Sequence, residues 1–206
     1  KKFLAIFEAF LLIVALSNTA LGVDRYSVAS TAWSSTATWS ATSGGASGAS
    51  VPTTGDNAII ETGFTVTLDM SPTVTNCTVS GTGILDASTF TLGVSGTFTL
   101  TGTATFKQGG TVNTIPGATR SFATTSNYVF NGTQTSLPVT VPYGGLTWSS
   151  TNASAATPAG DLQVNGDLTL LNCHDLRGGT GNKTPTVGGN VTVDGATSVL
   201  AGTTAS

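Results

Sequence analysis

Charge is what this 206-residue sequence has least of: Asp, Glu, Lys and Arg together make up 8%, against roughly a quarter of an ordinary soluble domain. Its seven Lys and Arg are scattered without a basic cluster. It therefore lacks the electrostatic footprint that nucleic acid or an anionic membrane surface requires. Histidine occurs once, at His174, which excludes a multi-histidine metal centre. No Asp-x-Asp-x-Asp calcium loop occurs, so neither a metal nor another cofactor is expected. There are only two cysteines, Cys77 and Cys173. With coils of about 20–25 residues and strands about 4.8 Å apart, they stand some 20 Å from each other. A disulfide allows roughly 7 Å between Cα atoms, so two buried free thiols are expected. The disordered signature is missing too, because 39% of residues are hydrophobic and the net charge is only −3.

What fills the space is Thr, Ser, Gly and Ala in a regular order. Across residues 90–112, apolar side chains fall at Phe90, Leu92 and Val94, then Phe98 and Leu100, then Ala104 and Phe106. The residues between them are nearly all Thr, Ser or Gly. A period of two places the apolar set on one face of a strand and the hydroxyls on the other. Each run ends after a few residues at a Gly, which is turn punctuation. Ala58-Ile-Ile-Glu61, Phe64-Thr-Val-Thr-Leu-Asp69 and Val74-Thr-Asn-Cys-Thr-Val79 then place three short strands in about twenty residues, the length of one triangular β-helix coil. Farther along, Asp161-Leu-Gln-Val-Asn-Gly-Asp-Leu-Thr-Leu-Leu171 and Val187-Gly-Gly-Asn-Val-Thr-Val-Asp194 form a degenerate repeat. The expected fold is all-β, a right-handed parallel β-solenoid, with a β-sandwich as the alternative.

Three segments follow. Residues 1–22 carry a basic start, an apolar run over 3–16 and a small-residue ending, the three parts of a signal peptide; a retained apolar helix, as in filament subunits, is the rival. The run is short for a membrane span, and no membrane association is expected after cleavage at Gly22. Residues 23–50 read as an N-terminal cap and a Ser/Gly loop. Trp33 and Trp39 either cover the open first coil or offer a sugar-stacking platform. Residues 51–206 read as solenoid repeats that continue past Ser206.

Candidate chemistry is sparse. Cys173-His174-Asp175 invites a nucleophile–base reading, but neighbours on a strand point to opposite sides. Asp56, Glu61, Asp69, Asp86, Asp161, Asp167, Asp175 and Asp194 are the carboxylates available for glycoside cleavage, and most sit where Asp serves turns. Lys107, Lys183, Arg120 and Arg177 form no cluster in sequence. Asn76, Asn131, Asn152, Asn182 and Asn190 begin glycosylation-type triplets. Thr65-x-Thr67, Thr97-x-Thr99 and Thr103-x-Thr105 admit an ordered-water, ice-binding ladder, which irregular spacing disfavours. No catalytic residue is assigned and an enzyme is not expected.

A resemblance enters through Val51-Pro-Thr-Thr-Gly-Asp-Asn-Ala-Ile-Ile60, Tyr128-Val-Phe-Asn-Gly-Thr-Gln-Thr135, Gly145-Leu-Thr-Trp148 and the Asp161 segment. Together with Trp33 and Trp39, they resemble the opening and body repeats of exported bacterial cell-surface β-helix proteins. Those proteins are adhesin- or autotransporter-passenger-like and often type IX-secreted. The resemblance implies a secreted structural or adhesive module displayed outside the cell, with itself or surface glycans as partners. A carbohydrate-binding or polysaccharide-cleaving β-helix and a filament subunit are the alternatives. The sorting domain that usually ends such proteins is not found before Ser206, so an N-terminal fragment is expected.

Overall fold

The computed structural model describes residues 22–139, 141–149, 157–158, 160–172, 175–177, 185–195 and 199–201. Strand β1 (Asp24–Ser27) is followed by a single 3-10 turn (Thr36–Thr38) and β2 (Trp39–Ser40). The chain then winds through repeated coils. The first holds β3 (Asn57–Ile60), β4 (Thr65–Thr67) and β5 (Thr73–Val74), and the second β6 (Asn76–Val79), β7 (Ile84–Asp86) and β8 (Gly93–Val94). Next come β9 (Thr97–Leu100) and β10 (Thr105–Gln108), then β11 (Thr119–Phe122), β12 (Asn127–Phe130) and β13 (Ser136–Leu137). The remaining strands are β14 (Gly145–Trp148), β15 (Thr157–Pro158), β16 (Gln163–Val164), β17 (Leu168–Leu171), β18 (Asp175–Arg177), β19 (Thr186–Val187), β20 (Val191–Asp194) and β21 (Val199–Ala201).

Strands one coil apart pair in parallel, which makes the protein a β-solenoid. One face is the sheet β11-β9-β6-β3-β1-β2, and the second is the seven-stranded β20-β17-β14-β12-β10-β7-β4. Short two-stranded ladders such as β5-β8 and β13-β15 form the third side. Register partners on the second face lie 19, 21, 22, 18, 22 and 23 residues apart in succession. Coil length therefore varies while the register holds. The slack is taken up in the corners between strands, where loops are tolerated.

Period-two alternation dictates what each rung contributes. The inward column of the second face runs Val66, Leu85, Phe106, Tyr128, Leu146, Leu168. Every one of these side chains is buried. Aromatic rings meet edge-on in the interior: Phe98 of the first face and Phe106 lie 5.0 Å apart at 74°, and within the column Phe106 and Tyr128 lie 5.0 Å apart at 65°. Such geometry adds about 0.5–1.5 kcal/mol per pair to the burial of ring area. At β20 the column opens, since Val191 and Val193 are 47% exposed although they stack on the buried Leu168 and Leu170. The two segments that form the degenerate repeat in sequence stack on each other here, Val164 on Val187 and Thr169 on Thr192.

The first face begins earlier than the sequence reading places it. Asp24, in the segment read as cap, is in parallel register with Asn57, which in turn pairs with Asn76. A side-chain ladder joins these rungs. Asn57 Nδ2 donates to Asp24 Oδ1 (2.8 Å), Asn76 Nδ2 donates to Asn57 Oδ1 (2.8 Å), and Asn76 Oδ1 accepts from the Thr97 N–H (2.8 Å). The inward column beside it reads Arg25, Ala58, Cys77, Phe98, Arg120. Arginine thus stands at both ends, its alkyl stem beside apolar neighbours and its fork on local acceptors. Arg25 donates to the Ser50 carbonyl and hydroxyl, while Arg120 donates to the carbonyls of Ile115 and Pro116.

One strand position tests this architecture directly. Phe106→Ala empties the column between Leu85 and Tyr128 and is expected to cost about 3–5 kcal/mol in urea unfolding. Lys107→Ala, one residue along on the outward side, is expected to change stability by under about 0.5 kcal/mol.

Candidate functional surface

The sequence-nominated residues fall into three groups. Trp33 and Trp39 are fully buried, with ring centroids 4.8 Å apart at 71°. Trp39 Nε1 donates to the Trp33 carbonyl at 2.8 Å, and Trp33 Nε1 has no partner among the described residues. Neither ring presents a face to solvent, so stacking on a sugar is not open to them in this structure. Their sequence context signalled aromatics near a chain entry; it carried no signal of which way the rings turn. Cys77 is a buried free thiol on the first-face column, and burial pushes its pKa far above the usual thiol range. That leaves it without thiolate reactivity. Cys173, His174, Lys183, Asn152 and Asn182 lie outside the described residues, as does the apolar run of residues 3–16.

Several carboxylates act as clasps for loops. Asp69 accepts from the Ser34 N–H at 3.0 Å and from the Ser34 hydroxyl. Asp56 accepts from the N–H groups of Val23 (3.1 Å) and Thr53 (2.9 Å). Glu61 accepts from the Ser43 hydroxyl and the Gly44 N–H, and Asp86 from the Ser88 N–H at 2.8 Å. Donation from the Ser34 hydroxyl holds Asp69 below the ordinary carboxylate value. For Asp56, burial pushes upward, but the Thr53 and Val23 donors outweigh it and leave a net depression. Among the described residues no group of three or more His, Cys, Asp or Glu converges as a metal site.

Arg120 and Gln108 do work that their sequence positions gave no hint of. No strand forms between β10 and β11, so the carbonyls of residues 109–118 need donors from elsewhere. Gln108 Nε2 supplies the Thr114 carbonyl at 2.9 Å, and Arg120 supplies Ile115 and Pro116 at 2.9 and 3.0 Å. The buried Gln108 Oε1 accepts from the Tyr128 hydroxyl, and Gln134 Nε2 caps the Gln108 carbonyl at 2.8 Å. Burial pushes both Tyr128 and Tyr143 upward, so both hydroxyls stay protonated donors. The Tyr143 hydroxyl donates to the Pro138 carbonyl at 2.6 Å.

The outer surface is not one uniform hydroxyl ladder. On the first face, Thr78, Thr99 and Ser121 stack in register. On the second, the outward column reads Thr67, Asp86, Lys107, Val129, Thr147. Charge and an apolar residue interrupt it, which breaks the regular array that ordered water would need. The Asn76 amide is committed to Asn57 and is half-buried, so that triplet presents no free acceptor.

A groove of about 580 Å³ lies along the corner between the two large faces, lined chiefly by Thr124, Thr125, Asn127, Thr147, Asp167 and Thr169. Asn127 Nδ2 donates to Thr147 Oγ1 at 3.0 Å, and Asp167 Oδ1 accepts from the Asn190 N–H at 2.7 Å. Comparison of the chain with protein-family models, with curated proteins and with solved structures found no match.

Two outcomes check these assignments. Arg120→Ala removes two charge-assisted bonds and is expected to cost about 1.5–3 kcal/mol, with faster amide exchange confined first to residues 109–118. The depressed values of Asp56 and Asp69 mean that their stabilisation is full above the ordinary Asp value of about 3.9 and is lost as pH falls through the lower folded values. Near-UV circular dichroism of the Trp33–Trp39 pair is expected to weaken in that acid window, and Asp69→Asn to reduce its pH dependence.

Proposed function

We propose that the chain is an exported structural and adhesive module, a stiff, weakly charged rod that spaces or presents a surface outside the cell. The observation that supports this best is the unbroken second-face ladder of seven parallel strands, six of them over one buried inward column. A solenoid of this kind is bound coil to coil along its whole length, so it resists bending without a separate scaffold. The hydroxyl-rich outer positions keep such a rod hydrated with little charge, and the clasping carboxylates are spent on loops. End-to-end or lateral association with further copies is the means by which the rods would extend.

Expression of the chain, including residues 1–22, in a host that exports proteins tests the reading. The expected product is recovered outside the cytoplasm with a mature N-terminus at Val23 by mass spectrometry. Its small-angle scattering is expected to be that of an elongated particle. A product that keeps residues 3–16 would support the filament-subunit reading instead, and a cytoplasmic product would remove the surface role.

A further inference from the structure

The corner between the first and second faces changes form partway along the solenoid. Residues 61–64, 80–83, 101–104 and 123–126 are four-residue turns of one kind, stacked one above the next. In the following coil the chain passes from Tyr143 through Gly144 directly into β14, and in the one after that through residues 165–167 into β17. The row of projecting turns therefore stops at residues 123–126, and the shorter corners leave a recessed floor beside it. Glycine makes the recess geometrically possible. A Cβ on Gly144 would sit 1.9 Å from the Ala123 carbonyl oxygen, and one on Gly166 2.3 Å from that of Thr124. Both are closer than real Cβ atoms come, so the floor tucks under the ridge only with hydrogen at these positions. The 580 Å³ groove occupies this step, within the range of about 300–1,000 Å³ usual for small-ligand clefts.

We propose that this groove binds a segment of neutral oligosaccharide. Among the described residues its lining offers hydroxyls, one amide and a single carboxylate, with no Lys or Arg. Phosphate, sulfate and nucleic acid would therefore meet no compensating charge. Among the described residues no large apolar side chain lines it either, which removes the buried anchor that a peptide or acyl chain relies on. A sugar chain presents closely spaced hydroxyls that donate and accept, and Thr hydroxyls do the same. Capacity is left for it. The hydroxyls of Thr124 and Thr169 and the second oxygen of Asp167 make no hydrogen bond with the described residues, while Asp167 Oδ1 is fixed by the Asn190 N–H. A carboxylate held by one oxygen is a pre-oriented acceptor, and its bonds to sugar hydroxyls are the stronger, charge-assisted kind. The groove crosses coils from Thr103 to Thr169, about three strand spacings or roughly 14 Å, which suits a few sugar rings lying along the solenoid axis. This site is independent of the rod role and of where the protein is displayed.

Titration of the purified chain with cellohexaose, maltohexaose, mannohexaose and chitohexaose, followed by NMR shifts, tests the assignment, with a sulfated heparin hexasaccharide as the anionic control. At least one neutral hexasaccharide is expected to bind, with shifts at the Thr124, Thr147 and Thr169 amides, and heparin is not. Asp167→Asn keeps an acceptor for the Asn190 N–H and is expected to weaken binding about tenfold. Thr169→Arg, an outward change that fills the groove, is expected to abolish binding while leaving the circular dichroism and unfolding midpoint unchanged. No binding of any neutral hexasaccharide at about 10 mM, preferential heparin binding, or affinity unchanged in Thr169→Arg would each overturn the proposal.

Discussion

Coil-on-coil registration is the constraint from which the other features follow. Each strand hydrogen-bonds to the equivalent strand of the next coil, so a residue's neighbours above and below have the same inward or outward sense. A one-residue slip would turn Phe106 and Tyr128 outward and Lys107 and Val129 inward. The cost of that slip is borne at every rung, which is why the register survives coil lengths that differ by several residues. Variation is expelled to the corners, and the corners are where polar side chains and glycines collect.

The same constraint makes the ends of each sheet a problem, because the last rung has a partner on one side only. Two solutions are visible on the first face. At the N-terminal end, β2 lies antiparallel on β1, and the Trp33–Trp39 pair fills the space inside the first coils. At the other end, β11 is the last rung and the inward position is given to Arg120. Its guanidinium satisfies carbonyls of a loop that has no ladder of its own. Arg25 plays the matching part with Ser50. An inward arginine is costly in the middle of a column and useful at its end, where the fork can reach backbone acceptors.

How legible all this was depends on the range of the interaction involved. Alternation within a strand is local, so the inward sense of Phe98, Leu100, Phe106, Tyr128, Phe130, Leu146 and Trp148 could be read from spacing alone. The likeness between the Asp161 and Val187 segments could also be read, since stacked rungs see the same environment. Features that depend on which coil meets which could not. The parallel pairing of Asp24 with Asn57 spans the whole cap, and nothing near Asp24 announces it. Arg120 follows Thr119 in an ordinary alternating run, and its role emerges only because the loop before it lacks a strand. The burial of both tryptophans could be read only as one of two accounts, covering the first coil or offering a platform, because the two share one sequence signature. The groove escaped notice for the opposite reason: no residue in it is unusual, and it arises from the shortening of a corner.

That last point bears on how a solenoid can acquire recognition at all. Its strands cannot change much, since each side chain is held between two others in a column. Its corners can lengthen or shorten by several residues without disturbing the ladder, provided that glycine stands where backbones come close. Gly144 and Gly166 meet that condition at the point where four-residue corners give way to shorter ones. A change of corner length converts a uniform ridge into a step, and a step has two walls from which polar groups converge. Asp167 and Thr169 on the floor and Thr124 on the ridge are brought together in this way from coils that are distant in sequence. Specificity on such a scaffold therefore resides in differences between successive corners, while the interior column supplies only the fixed spacing against which those differences are expressed.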